Sequence, residues 1–115
     1  MPARNWAFRI QDILDAIAKI RRYVSDVDFE TFQNDEEIMD AVIHNLTVIG
    51  EAANHIPGEI TGLYPEIPWR QMVDLRNFTV HAYWNLKPSV IWDTAKNDLP
   101  PLVESLGKLL PESNE

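Results

Sequence analysis

The chain has 115 residues, no cysteine, and 10 basic against 18 acidic side chains, for a formal net charge of −8. One domain fits that length and buries roughly two-thirds of its unfolded surface without staples, while the lack of cysteine excludes disulfides, thiolate zinc sites and cysteine nucleophiles. The acidic total argues against a sequence-independent nucleic-acid binder, and no apolar run approaches the roughly 18 residues that span a bilayer, so a soluble cytoplasmic domain without a membrane partner is expected.

The periodicity is helical almost throughout. Ile10, Ile13, Leu14, Ile17, Ile20 and Val24 step by three and four, which predicts a first helix over about 4–24 with one apolar stripe. Residues 26–32 break the pattern and read as a connection with one helical turn. Asn34 followed by Glu37 is a start signal, the amide capping a free backbone N–H, for a second long helix through Ile38, Val42, Leu46, Ile49, Ala53 and Ile56. Pro57-Gly58 stops that helix, with glycine suited to a left-handed cap. Pro68 suits the first position of a third helix, which carries Trp69, Met72, Val73, Arg76 and Val80 along one face. Lys87-Pro88-Ser89 opens a last helical region with Val90, Ile91, Ala95 and Leu99, and Pro100-Pro101 kinks or restarts it before Leu102, Val103, Leu106, Leu109 and Leu110. The fold class is all-α, an up-and-down bundle of four main helices with short extra turns. Trp6, Trp69, Trp84 and Trp92 read as core or interface anchors, and the breadth of the apolar stripes makes a homodimer the expected assembly.

Charge is divided along the chain. Residues 1–22 hold five basic and two acidic side chains, residues 23–69 ten acids and no Lys or Arg, and residues 70–87 three basic side chains and one acid. The acidic stretch reads either as a solvated helix face or as a surface for a basic partner.

One stretch concentrates polar chemistry among apolar neighbours, from Leu75 through Arg76, Asn77, Phe78, Thr79, Val80, His81, Ala82 and Tyr83 to Trp84. Arg76 falls on the apolar face, so its guanidinium must meet a solvated cleft, a carboxylate such as Glu51, or a bound phosphate. In one continuous helix Arg76 and His81 stand about 140° apart around the axis, which predicts that the helix frays or ends near Val80 and lets His81 and Tyr83 project together beside Arg76. A second copy of the motif across a two-fold axis relieves the remaining difficulty. Histidine moves protons near neutral pH and an arginine fork stabilises charge on a phosphate under attack. Together they describe RNA cleavage without a metal, in which the 2′-OH is the internal nucleophile, Asn77 orients the phosphate and the Tyr83 hydroxyl donates a hydrogen bond. His44 and His55 have no companion ligands, and no metal spacing, cofactor motif or phosphate loop is present.

Arg76-Asn77-x-x-x-His81-x-Tyr83 resembles the Arg-x4-His-x-Tyr signature of HepT-like toxins of the HEPN superfamily. Further blocks look like the family's in its order: residues 12–17 (DILDAI), 40–46 (DAVIHNL), 49–53 (IGEAA), Tyr64-Pro65-x-Ile67-Pro68-Trp69 and Asp98-Leu99-Pro100. The resemblance covers about residues 4–110 of a single domain spanning 1–115. It implies a dimeric helical bundle, a metal-independent endoribonuclease toxin acting on tRNA or mRNA, and a minimal nucleotidyltransferase partner that neutralises it by attaching AMP to Tyr83. Arg76 and His81 are then catalytic, with Asn77 an accessory polar residue. After the motif, Trp84-Asn85-Leu86-Lys87 departs from the family's pattern, since Lys87 cannot cap a helix start as a carboxylate does. The competing reading is a non-catalytic dimeric helical partner or substrate of a nucleotidyltransferase, motivated by the acidic 23–69 stretch.

Overall fold

A computed structural model describes residues 5–81 and 87–110; of Asn5, Val80 and His81 it describes the backbone only. The elements in order are α1 (Asn5–Ser25), α2 (Phe29–Gln33), α3 (Glu36–Asn54), α4 (Gly58–Thr61), α5 (Trp69–His81), α6 (Pro88–Asp93), a π-helical turn (Thr94–Asp98) and α7 (Pro100–Gly107). Among the described residues there is no strand, and none of their helices is long and apolar enough to cross a membrane.

The apolar stripes build the bundle. Ile10, Ile13, Ile17, Ile20 and Val24 of α1 are buried against Val42, Leu46, Ile49 and Ala53 of α3, while Leu14 is only half-buried. Each fully buried Ile, Leu or Val side chain among these contributes roughly 1.5–3 kcal/mol. The C-terminal run adds Ile91, Ala95, Leu99, Leu102, Leu106 and Leu109, packed largely on α1. Helix α3 is the central element, lying along α1 on one side and α5 on the other. Trp6, Trp69 and Trp92 are half-buried against the core; Trp84 lies outside the described residues. The Trp92 ring meets Phe29 and Phe32, with centroids 5.8 and 5.1 Å away, which fastens α2 under α6.

Three local expectations need correction. The cap of α3 is Asp35, one residue beyond Asn34: its carboxylate accepts from the Ile38 N–H at 3.1 Å, whereas Asn34 closes α2 and its amide donates to the Glu30 carbonyl. Both residues have capping chemistry, and the charged carboxylate gains in addition from the positive end of the helix dipole. Gly58 is not a left-handed cap, because no described glycine has positive φ; α3 closes at His55, and Gly58 opens the short α4. Pro68 precedes α5, accepting at its carbonyl from the Met72 N–H rather than occupying the first helical position.

The restart at Pro100-Pro101 does occur. Leu99 donates to the Thr94 carbonyl five residues back, a wide turn that absorbs the approach to two residues without N–H groups, and Pro100 begins α7. At the start of α6, Lys87 makes no side-chain cap, leaving Pro88 to set the first turn.

Candidate active site

The site is built where α3 and α5 cross antiparallel. Gly50 provides the crossing: a Cβ there would overlap the Arg76 backbone nitrogen and stand 2.5 Å from the Arg76 Cβ. Glycine inside a helix costs about 1 kcal/mol relative to alanine, and here it lets two backbones meet at a separation that no side chain permits. One turn away, the Thr47 and Thr79 hydroxyls lie 2.6 Å apart, and each also reaches a carbonyl of its own helix, Ile43 and Arg76 respectively. Thr79 is buried, so this bridge satisfies polar atoms that would otherwise be costly to desolvate.

The crossing sets Arg76 beside Glu51. Arg76 Nε lies 2.9 Å from Glu51 Oε1, and Arg76 Nη1 donates to Asn77 Oδ1 at 3.3 Å. Both members of the ion pair are substantially exposed, at 41% and 47% of their side-chain surface. A pair in such contact with water is worth at most about 1 kcal/mol, so Glu51 orients the guanidinium and leaves it available to a stronger anion. His55 extends the group on the other side of Glu51. Its Nδ1 lies 2.8 Å from the Glu51 carbonyl and 3.8 Å from Glu51 Oε2.

His81 is the last residue of α5, so its backbone shares one continuous helix with Arg76, five residues on. The described backbone is helical through His81, one residue beyond the expected end near Val80, and the two Cα positions stand about 140° apart around its axis. The His81 side chain and all of Tyr83 lie outside the described residues. The structure thus brings together Arg76, Asn77 and Glu51. Two contributors were given no role in the sequence reading: Thr79, named only within the polar stretch, and His55, set aside for want of companion ligands. The Glu51–His55 spacing of four was a legible signal for a shared helix face, but Thr79 had none, since its partner is 32 residues away. Among the described residues no group of three or more His, Asp and Glu side chains is placed to hold a metal.

The bundle, with an Arg-x4-His pattern along α5 and a carboxylate on the neighbouring helix, is an all-α domain of the kind expected from the HEPN resemblance. The chain belongs to the ribonuclease HepT-like family, whose model matches residues 13–109. It is 40% identical over 100 residues to a Thermococcus cleftensis protein named "Probable ribonuclease HepT", covering 87% of this chain and 91% of the relative. A Methanocaldococcus jannaschii protein named "Putative RNase" is 34% identical over 115 residues, covering 100% of this chain and 99% of the relative. A Caldanaerobacter subterraneus protein, also named "Putative RNase", is 26% identical over 101 residues, covering 88% and 90%. No solved structure matches the chain.

Proposed function

We propose that the protein is an endoribonuclease toxin that cuts tRNA or mRNA without a metal, at a site composed from two copies of the chain. The single observation that carries the reading is the half-exposed Arg76 guanidinium, aimed by Glu51 and flanked by Asn77, on the helix whose backbone also carries His81. Family membership and relatives named as ribonucleases support the same reaction class.

One His81 removes the proton of the ribose 2′-OH. The 2′-oxygen then attacks the adjacent phosphorus as the bond to the 5′-oxygen breaks, and the departing oxygen takes a proton from the second His81, leaving a 2′,3′-cyclic phosphate and a 5′-OH. Arg76 stabilises the extra charge on the phosphate oxygens, and Asn77 and Tyr83 hydrogen-bond the backbone. DNA lacks the nucleophile and is not cut. Exposed apolar rings at Phe8 (71%) and Phe78 (37%) favour burial against a second copy. Control comes from a minimal nucleotidyltransferase that attaches AMP to Tyr83, which adds bulk and negative charge where RNA phosphate binds. The site of action is the cytoplasm, and no cofactor takes part.

Purified protein incubated with tRNA and mRNA in EDTA tests this. Cleavage that falls by at least about a hundredfold in His81→Ala, with the sedimentation coefficient of a dimer retained, is the expected result. Undiminished cleavage in that variant removes the proposal. A specific observation favours a second reading, a non-catalytic partner of the nucleotidyltransferase: Glu30, Asp35, Glu36 and Glu37 line one acidic depression at the α2–α3 junction, a surface suited to a basic protein. AMP transfer to Tyr83 without cleavage of any RNA selects that reading.

A further inference from the structure

Glu51 borders a second space, on the α1 side of α3, that the chemistry above does not use. A cleft of about 240 Å3 is lined by Arg9 and Asp12 of α1 and by Thr47, Val48, Glu51 and Ala52 of α3. Arg9 is half-buried, Asp12 is exposed, and among the described residues neither makes an ion pair or a side-chain hydrogen bond. Glu51 is committed to Arg76, and the Thr47 hydroxyl to Thr79 and the Ile43 carbonyl. The free polar groups of the cleft are therefore one guanidinium and one carboxylate, one turn apart on α1, facing an apolar wall from Val48 and Ala52.

From this set we infer that the cleft is a nucleobase subsite beside the scissile phosphate and that its ligand is guanine, an inference that rests on the ribonuclease reading. Asp12 and Glu51 together repel a phosphate, so an anion does not suit the cleft despite Arg9. A flat neutral ligand with donors on one edge and acceptors on another does. Guanine presents O6 and N7 as adjacent acceptors, the pair that an arginine fork engages most often, and N1–H and N2–H2 as adjacent donors for a carboxylate. The other bases lack that combination of edges. Val48 and Ala52 supply contact for the face of the ring. Because Glu51 both orients Arg76 and borders this cleft, a base seated here puts its own phosphate next to the guanidinium.

The test uses four short RNAs that differ only in the base beside the cut, together with their 2′-deoxy counterparts, which bind without being cleaved. Expected are binding of the guanine 2′-deoxy oligonucleotide about tenfold tighter than the other three and preferential cleavage of the guanine RNA, with Arg9→Gln and Asp12→Asn each erasing both preferences. Thermal denaturation of the variants confirms folding. Equal binding of all four bases by the unsubstituted protein, or a guanine preference that survives both substitutions in folded protein, overturns the inference. Failure of the ribonuclease reading is distinguishable. Tight, guanine-selective binding without cleavage of any RNA leaves the subsite standing, whereas cleavage blind to the base removes the subsite and leaves the enzyme.

Discussion

Gly50 on α3 and Arg76 on α5 meet backbone to backbone, with no room between them for one methyl group. That contact sets the depth at which α5 sits on α3, and with it the reach of the Arg76 side chain to Glu51. The residue on which the proposed chemistry depends is thus positioned through its own main chain, not only through its side-chain partner.

Gly50→Ala therefore destabilises the protein even though alanine is the better helix former by about 1 kcal/mol. The inserted methyl pushes the helices apart, an overpacking cost of about 1–3 kcal/mol that outweighs the propensity gain. Denaturant unfolding measures it, with a lowered midpoint and unchanged slope as the expected outcome. A midpoint at or above that of the unsubstituted protein contradicts the crossing described above.

Glu51→Gln separates orientation from stability. The exposed pair contributes at most about 1 kcal/mol, so the melting temperature moves by only a few degrees. The guanidinium loses the carboxylate that aims it, and kcat for RNA falls about tenfold or more, as expected when a charge-stabilising group is no longer preorganised. An unchanged kcat in this variant shows that Glu51 does not position Arg76 for the reaction.

Acid sensitivity begins partly at the cap of α2. Asp28 Oδ1 accepts from the Thr31 N–H at 2.8 Å, and the hydrogen bonds from Thr31 hold the Asp28 carboxyl below its ordinary value of 3.8. A carboxylate whose folded-state pKa is depressed stabilises the fold fully above its unfolded value, and that contribution is lost as pH falls through the folded one. Asp28→Asn keeps a capping oxygen without the charge, so the gap in melting temperature between the two proteins closes below about pH 4. Parallel curves of melting temperature against pH down to about pH 2 contradict this account.

Much of the architecture was legible locally. The steps of three and four through Ile10–Val24 and Val42–Ile56 mark faces that must be buried wherever the helices end up, because apolar periodicity is a property of the segment itself. The restart at Pro100 follows from a missing N–H, and the pattern linking Arg76 to His81 is read directly from the residues. Caps were less legible: Asn34 and Asp35 both have the chemistry, and a shift of one residue moves the cap from one to the other.

By itself, then, the sequence determined the main helical segments, the buried stripes, the all-α bundle class and the residue types available for phosphate chemistry, since each depends on neighbours within a turn or two. Only the tertiary structure decided that Gly50 is the crossing point, that Glu51 rather than another acid holds Arg76, that Thr79 is buried on Thr47, and that Arg9 and Asp12 share a cleft with Glu51. Those contacts join residues tens of positions apart. They are set by how closely two backbones can approach and which faces then coincide, which no single helix specifies alone.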